Sequence, residues 1–375
     1  MKLNLKKKLK CGIIGAGINS EIGKIHLSSL LIDNLWEISA ASFSTNKKIN
    51  ILTLNHFRLA NTKIYQDYKK MIFDFKNKLD VIILVTPTFD HFNILKYLLK
   101  FNIPIISEKP LVSSINEAKK LTNKSKKNLI LTVFNYSCYP AIKNLKTELN
   151  NKKIGSIKKI IVNYHLDAFT NPRAKPKKWR LKDKNTPTIL LDLGCHIFQL
   201  IYFLTNMKPT SLVSSFNSIG LYKNLIDDCN CIFKIGNKID GLISICKSDI
   251  GNKDGLSIKI IGDKGSFIWA NNNPDHYQFN NLNNNQIIDR SKFKKSIQKK
   301  YSRFKPGHPE GFLEAFSNMY RDFYEIILSG GKLDNLKYYD FNLSYDCQFF
   351  LNTMNLSNIE KKWKKLNYKK YKLKN

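Results

Sequence analysis

Three groups of residues in this chain have the types and spacing to do chemistry. The first is Gly15-Ala16-Gly17-Ile18-Asn19-Ser20, with Gly23 three residues further on. It closes a short apolar run and opens an amphipathic helix. A Gly-x-Gly turn in that context lets backbone approach a pyrophosphate and aims helix N–H groups at it. That implies a dinucleotide, NAD or NADP, and hence redox chemistry. The second group lies at strand ends: Thr86-Pro87-Thr88-Phe89-Asp90-His91, then Ser107-Glu108-Lys109-Pro110. Ligands bind open α/β sheets at such ends. A lysine there can hydrogen-bond a reacting oxygen and stabilise developing negative charge. The third group is Asp192-Leu193-Gly194-Cys195-His196, inside an otherwise apolar helix. Asp192 and His196 are four residues apart and share a face. An ionisable pair on a buried helix needs partners or work, and histidine is suited to taking a hydroxyl proton near neutral pH.

The segment after the second strand bears on cofactor choice. Ser44-Thr45-Asn46-Lys47 carries no carboxylate to bind a ribose 2′-hydroxyl or repel a 2′-phosphate, and Lys47 or Lys48 could pair with one. NADP is therefore admitted beside NAD. The same residues could instead start a helix, with Ser44 or Thr45 as its N-cap.

These groups need a scaffold, and the pattern supplies one. Strands are expected at Lys10–Ile14, Trp36–Phe43, Val81–Val85, Pro104–Ser107 and Leu129–Phe134. Helices are expected from Glu21 to Asp33, Lys47 to Leu59, Gln66 to Phe75, Phe89 to Lys100, and from a cap at Ser114 or Asn116 to Lys124. The fully apolar Val81–Val85 suits a central parallel strand. The rhythm is that of a Rossmann doubly wound parallel sheet over residues 1–135.

Beyond residue 135 a second domain, 136–375, is expected to be α+β with a large, mainly antiparallel sheet. Its helices fall at Ala141–Asn150, Ile189–Leu204, Pro309–Leu328 and Asp340–Asn355. Its strands fall at Ile157–Ala168, Cys229–Ile235, Gly241–Lys247, Leu256–Ile261 and Ser266–Ala270. Asn281–Lys305 reads as a polar, basic loop, and Lys361–Asn375 as a basic tail.

Composition excludes some alternatives. At 375 residues a two-domain chain is expected. No stretch approaches the roughly 20 apolar residues of a membrane span. No signal peptide is read at the basic N-terminus, so a cytoplasmic location is expected. Seven scattered cysteines without C-x-x-C argue against a disulfide framework or a metal site. Cys229 and Cys231 are expected on one strand face as core thiols. The net charge of +33 would suit nucleic acid or an anionic substrate. No nucleic-acid motif accompanies it, and the lysines are spread along the chain, so compositional drift is the preferred explanation.

Taken together, the glycine turn, Glu108-Lys109-Pro110 and Asp192-x-Gly194-x-His196 resemble the Gfo/Idh/MocA (glucose–fructose oxidoreductase / inositol dehydrogenase) family across essentially the whole chain. The resemblance extends to Phe134-Asn135-Tyr136, Trp179-Arg180 and Gly307-His308-Pro309-Glu310-Gly311. Ile18 and Asn19 depart from the family's glycine loop. The resemblance implies a reversible NAD(P)-dependent oxidation of a secondary hydroxyl on a sugar or cyclitol. Lys109 would polarise that hydroxyl, His196 would act as general base or acid, and Asp192 would bind substrate and assist His196. Gly15, Gly17, Ile18, Asn19, Ser20, Ser44, Thr45, Thr86, Pro87, His91, Glu108 and Lys109 would line the cofactor. Tyr136, Trp179, Arg180, Asp192, His196 and His308 would line the substrate. It also implies a cis peptide before Pro110 and a homodimer or homotetramer, with neither nucleic acid nor membrane as partner. Within the same fold, a nucleotide-sugar dehydrogenase or reductase and an NAD-dependent glycosidase are the alternatives.

Overall fold

The computed structural model describes residues 7–125, 127–170, 172, 176, 181, 183 and 185–368. Two compact units share them. The first takes the residues up to Asn135 together with Phe312–Tyr345; the second takes Tyr136–Gly311 and the residues from Asp346 onward.

The first unit alternates strands and helices: β1 (Leu9–Gly15), α1 (Glu21–Ile32), β2 (Trp36–Ser42), α2 (Lys47–His56), β3 (Lys63–Ile64), α3 (Tyr68–Phe75), β4 (Val81–Val85), α4 (Thr88–Leu98), β5 (Ile105–Ser107), α5 (Ile115–Ser125) and β6 (Ile130–Thr132). The six strands lie parallel in the order β3-β2-β1-β4-β5-β6. Strand order reverses between β1 and β4, which places a crevice at their C-terminal ends. All five β4 residues are buried, as an apolar central strand requires. The two-residue β3 is too short to leave a pattern in the sequence and was not expected. The N-cap of α2 is Asn46, whose side chain accepts from Lys48 N, rather than Ser44 or Thr45. Ser44 Oγ instead accepts from Asn46 N at 3.1 Å.

The second unit begins with α6 (Pro140–Asn150) and β7 (Ile157–His165). A π-helical turn, Leu190–Gly194, follows and leads into α7 (Cys195–Thr205). Then come β8 (Ser211–Asn217), β9 (Asp228–Ile235), β10 (Ile239–Cys246), β11 (Gly255–Gly262), β12 (Ser266–Ala270), β13 (His276–Asn280), β14 (Asn285–Asp289) and α8 (Lys295–Tyr301). The chain returns to the first unit with α9 (Phe312–Leu328), passes through α10 (Phe341–Glu360) and ends its described part with β15 (Lys364–Lys365). Nine strands form one sheet, β14-β13-β12-β11-β7-β10-β9-β8-β15, antiparallel except for the β10–β7 pair. Alternation is clear in β7, where Ile160, Val162 and Tyr164 are buried and their neighbours are not.

Two expectations are corrected here. Asn281–Lys305 is not a loop: it holds β14 and α8. Asn281 Oδ1 accepts from the N–H groups of Asn283 and Asn284, making a tight turn that folds an edge strand back on β13. An edge strand with one wet face reads as polar, which hid it. The expected Ile189–Leu204 helix begins as a π turn. All seven cysteines are free and buried. Burial pushes the Cys229 and Cys231 thiols up, as befits inert core residues.

Phe312–Tyr345 packs with the first unit, whereas the sequence pattern put it in the second. Helix α9 lies on α1, with Trp36 edge-on to Tyr320 and Tyr324, and Arg321 bonded to Asp33 at 3.0 Å. In the second unit, buried Arg290 staples the segment before α9. It pairs with Glu310 at 2.6 Å and Asp275 at 3.1 Å, and donates to the carbonyls of Phe304 and His308. Removing one partner of a buried ion pair is strongly destabilising. Arg290→Met should lower the unfolding free energy by about 3–5 kcal/mol in urea titration. A loss below about 1 kcal/mol would match a surface pair instead.

Candidate active site

In the first unit, the glycine turn is shaped by contacts that exclude side chains. Gly15 sits at φ +87°, and a Cβ there would stand 2.1 Å from the Val85 carbonyl oxygen. Ala16 follows at φ 63° and donates its N–H to that same oxygen. A Cβ at Gly17 would press on Ile49 Cγ2 at 3.0 Å, and one at Gly23 would lie 2.7 Å from Ala16 Cα. Gly15 therefore makes the tight turn, while Gly23 permits the close approach of helix and strand that the third glycine of a fingerprint supplies. Ser20 caps α1 by accepting from Gly23 N at 3.1 Å. The first N–H groups of α1 have no intrahelical acceptor and carry the positive end of the helix dipole. The Ile18 amide is committed to Thr53 Oγ1 at 2.9 Å, so it braces the loop against α2. Asn19 and Thr45 are exposed, and Ser44 is half-buried with its N–H on Asn50 Oδ1.

Across the crevice, Thr86 Oγ1 is buried and has no hydrogen-bond partner among the described residues. Such an orphan at the end of β4, opposite the glycine turn, fits a polar ligand group. Pro87 beside it is exposed. His91 is wholly buried, and its two ring nitrogens face the carbonyl oxygens of Thr86 (2.8 Å) and Pro110 (3.1 Å). Burial lowers its pKa. His91 thus lies between the loops after β4 and β5, and as a neutral imidazole donates to one of the two carbonyls. The Lys109–Pro110 peptide is cis, as expected. Glu108 is likewise spoken for: Oε1 meets His26 Nε2 at 3.0 Å, and Oε2 accepts from Lys109 N at 3.1 Å.

In the second unit, the Asp192–His196 segment is a π turn running into α7. Turns of this kind recur at functional sites. A Cβ at Gly194 would lie 2.9 Å from Leu351 Cδ2, so glycine lets the turn settle against α10. Asp192 Oδ2 receives Lys247 Nζ at 2.7 Å. The lysine side chain is only 2% exposed, and its ammonium stands 5.1 Å from the Phe169 ring centroid. His196 is buried, with Tyr136 edge-on to its ring at 4.8 Å. The Tyr136 hydroxyl lies 2.5 Å from that of Tyr164 and 3.4 Å from Asp254 Oδ1. Burial, reinforced by the Asp254 charge, drives the Tyr136 pKa well above its ordinary value, so its hydroxyl stays protonated. The structure thus joins Asp192, His196 and Tyr136 in one cluster. It adds Lys247, Tyr164 and Asp254, which the sequence reading had not picked out. His308 is exposed, with its carbonyl held by Arg290. Trp179 and Arg180 lie outside the described residues.

A family model described as "Oxidoreductase family, NAD-binding Rossmann fold" matches residues 9–135, and one described as "Oxidoreductase family, C-terminal alpha/beta domain" matches residues 146–363. The chain belongs to the Gfo/Idh/MocA oxidoreductase family. Residues 9–135 are therefore an NAD-binding Rossmann domain. Among similar curated members, the uncharacterised oxidoreductase YfiI of Bacillus subtilis is 22% identical over 335 residues, 85% of either chain. Glucose-6-phosphate 3-dehydrogenase of Bacillus subtilis is 25% identical over 281 residues, covering 72% of this chain and 76% of that one. An inositol dehydrogenase homologue from Azotobacter vinelandii, solved with NADH and myo-inositol, superposes with a TM-score of 0.86 at 21% identity, covering 96% of this chain and 98% of its own. Levoglucosan dehydrogenase, solved with NADH and levoglucosan, gives 0.84 at 18% identity, covering 96% and 100%.

The Gly15 geometry makes a prediction for this Gfo/Idh/MocA member. Gly15→Ala combines a positive φ with a clash against backbone, so strain of about 1–3 kcal/mol or more is expected. Thermal melts should show a lowered Tm, and calorimetric titration should show NAD(P) affinity reduced at least about tenfold, the equivalent of about 1.4 kcal/mol. A variant with wild-type stability and affinity would contradict this account of the turn.

Proposed function

We propose that the protein is an NAD(P)-dependent dehydrogenase that moves a hydride between nicotinamide and a secondary hydroxyl of a sugar or cyclitol. The observation that carries this reading is the Lys247–Asp192 ion pair beside His196, on a π turn, with the lysine buried and the carboxylate partly exposed. Burying a charge is expensive, and a hydrophobic pair would often be as stable. An acceptor held there can take a hydrogen bond from a substrate hydroxyl.

Bound NAD(P) supplies the hydride acceptor or donor. The chain's own groups supply the rest. Lys109 donates to the reacting oxygen and stabilises the charge that grows as its proton leaves. His196 takes that proton in oxidation and returns it in reduction. Asp192, fixed by Lys247, accepts from a hydroxyl of the substrate and orients it. Tyr136 walls the site beside His196. Support also comes from the relatives, which include a dehydrogenase named for glucose 6-phosphate and structures holding myo-inositol or levoglucosan. The absence of a carboxylate in Ser44–Lys48 admits either nicotinamide cofactor. Self-association through the nine-stranded sheet belongs to the same proposal. Ile232 and Leu242 are exposed on that sheet, and sedimentation analysis should show a dimer or tetramer rather than a monomer.

Lys109→Ala and His196→Ala test the assignment. Each should lower kcat for hydride transfer by at least about 10²–10⁴-fold while NAD(P) binding, read by titration calorimetry, stays near wild type. Near-normal turnover in both would overturn the catalytic assignment.

A further inference from the structure

A buried chain of hydrogen bonds runs behind Lys109 within the first unit. Tyr320 of α9 places its hydroxyl 2.6 Å from His26 Nδ1. His26 of α1 places Nε2 3.0 Å from Glu108 Oε1. The second Glu108 oxygen accepts the backbone N–H of Lys109 at 3.1 Å. His26 is 1% exposed, Tyr320 1% and Glu108 7%, so water does not compete for these bonds.

The polarity of the chain is determined by its ends. An ionised Glu108 carboxylate only accepts, and the matching donor is an Nε2–H of His26. Tyr320 is held protonated, because burial and the nearby Glu108 raise its pKa well above the ordinary value. Its O–H is then the natural donor to an unprotonated Nδ1. Every group finds a partner with a neutral imidazole in one tautomer: Tyr320 O–H to Nδ1, Nε2–H to Glu108, Lys109 N–H to Glu108. A buried, fully satisfied network of this kind fixes geometry. The contacts around His26 reinforce it, with Phe316 and Tyr320 of α9 both edge-on to the ring.

We propose that His26 is a positioning residue for Lys109, acting through Glu108 as a neutral, Nε2-protonated imidazole oriented by Tyr320. On this account the glycine-turn helix and the returning helix α9 jointly set where the lysine backbone lies, and Glu108 serves as the link rather than as a cofactor contact. The inference rests on the proposed role of Lys109 at the reacting oxygen.

Two side chains separate this role from bulk packing. Glutamine places its amide N–H near the position of Nε2, and asparagine places its polar atoms near Nδ1. In steady-state assays of the full-length enzyme with saturating NAD(P), His26→Asn should reduce kcat about tenfold to a hundredfold, the loss expected of a misplaced catalytic group. KM for the cofactor should move less than about twofold, because the glycine turn is intact. His26→Gln should recover most of kcat, and Tyr320→Phe should lose a few-fold. Equal activity in His26→Asn and His26→Gln would overturn the proposal, as would wild-type kcat in His26→Asn where Lys109→Ala is inactive. If Lys109→Ala is itself active, the catalytic reading has failed instead. Nitrogen NMR of histidine-labelled wild-type protein decides the chain's polarity independently of turnover and of how the variants fold. The His26 signals, identified by their loss in a His26 variant or by their coupling to Tyr320, should show a protonated Nε2 and a bare Nδ1 at neutral pH. A protonated Nδ1 would overturn the proposal.

Discussion

The Glu108 carboxylate is the point on which the first unit turns. One oxygen is held by His26 from the helix after the glycine turn, and the other holds the backbone of Lys109. Through Tyr320 the same network reaches α9, more than two hundred residues later in the chain than Lys109. A buried carboxylate without such donors would be costly. With them, it welds three distant segments into one geometry. This explains in physical terms why α9 belongs to the dinucleotide unit: the helix supplies a hydroxyl and two aromatic edges that α1 and β5 need.

The second unit solves a related problem with opposite charges. Asp192 sits on a π turn whose glycine lies close to Leu351, and its carboxylate is met by an ammonium carried on the end of β10. Lys247 is held by its own strand end, where Lys247 N donates to Asp227 O and Lys247 O accepts from Phe169 N. The carboxylate is thus fixed by a rigid element rather than by a flexible surface lysine. Around His196 the hydroxyls of Tyr136 and Tyr164 share a hydrogen bond next to Asp254. Burial keeps both phenols protonated, so the wall beside the histidine is polar yet uncharged.

Much of this was legible in the sequence. Hydrophobic patterning gave β1, β2, β4 and α1 nearly to the residue: β4 as a fully apolar run buried on both faces, the others bounded by glycine or polar residues. The glycine turn, Lys109 and the Asp192–His196 pair were legible because few structural roles need those types at those places. What escaped was set by long-range packing. Lys247 lies at the inward position of the period that buries Ile243 and Ile245, and a lysine there was a readable signal of a buried partner. Tyr164 likewise falls on the inward face of β7. By contrast, the links of His26 to Tyr320 and of His91 to Pro110 join residues that no local pattern relates. The bonds of Glu108 to His26 and to the Lys109 backbone depend on the same long-range packing. The β14 edge strand and α8 were hidden because half-wet elements share the composition of loops.

Hydride transfer to nicotinamide is the step on which the dehydrogenase assignment depends. The most direct measurement follows the reduced-nicotinamide absorbance band while the purified protein, with NAD or NADP, meets a panel of inositols, pyranoses, anhydrosugars, sugar phosphates and nucleotide sugars. Growth of the band with at least one sugar or cyclitol, saturating with substrate, is the predicted result. A protein that binds the cofactor yet leaves the band flat across the whole panel, in both oxidation and reduction, would contradict the dehydrogenase assignment.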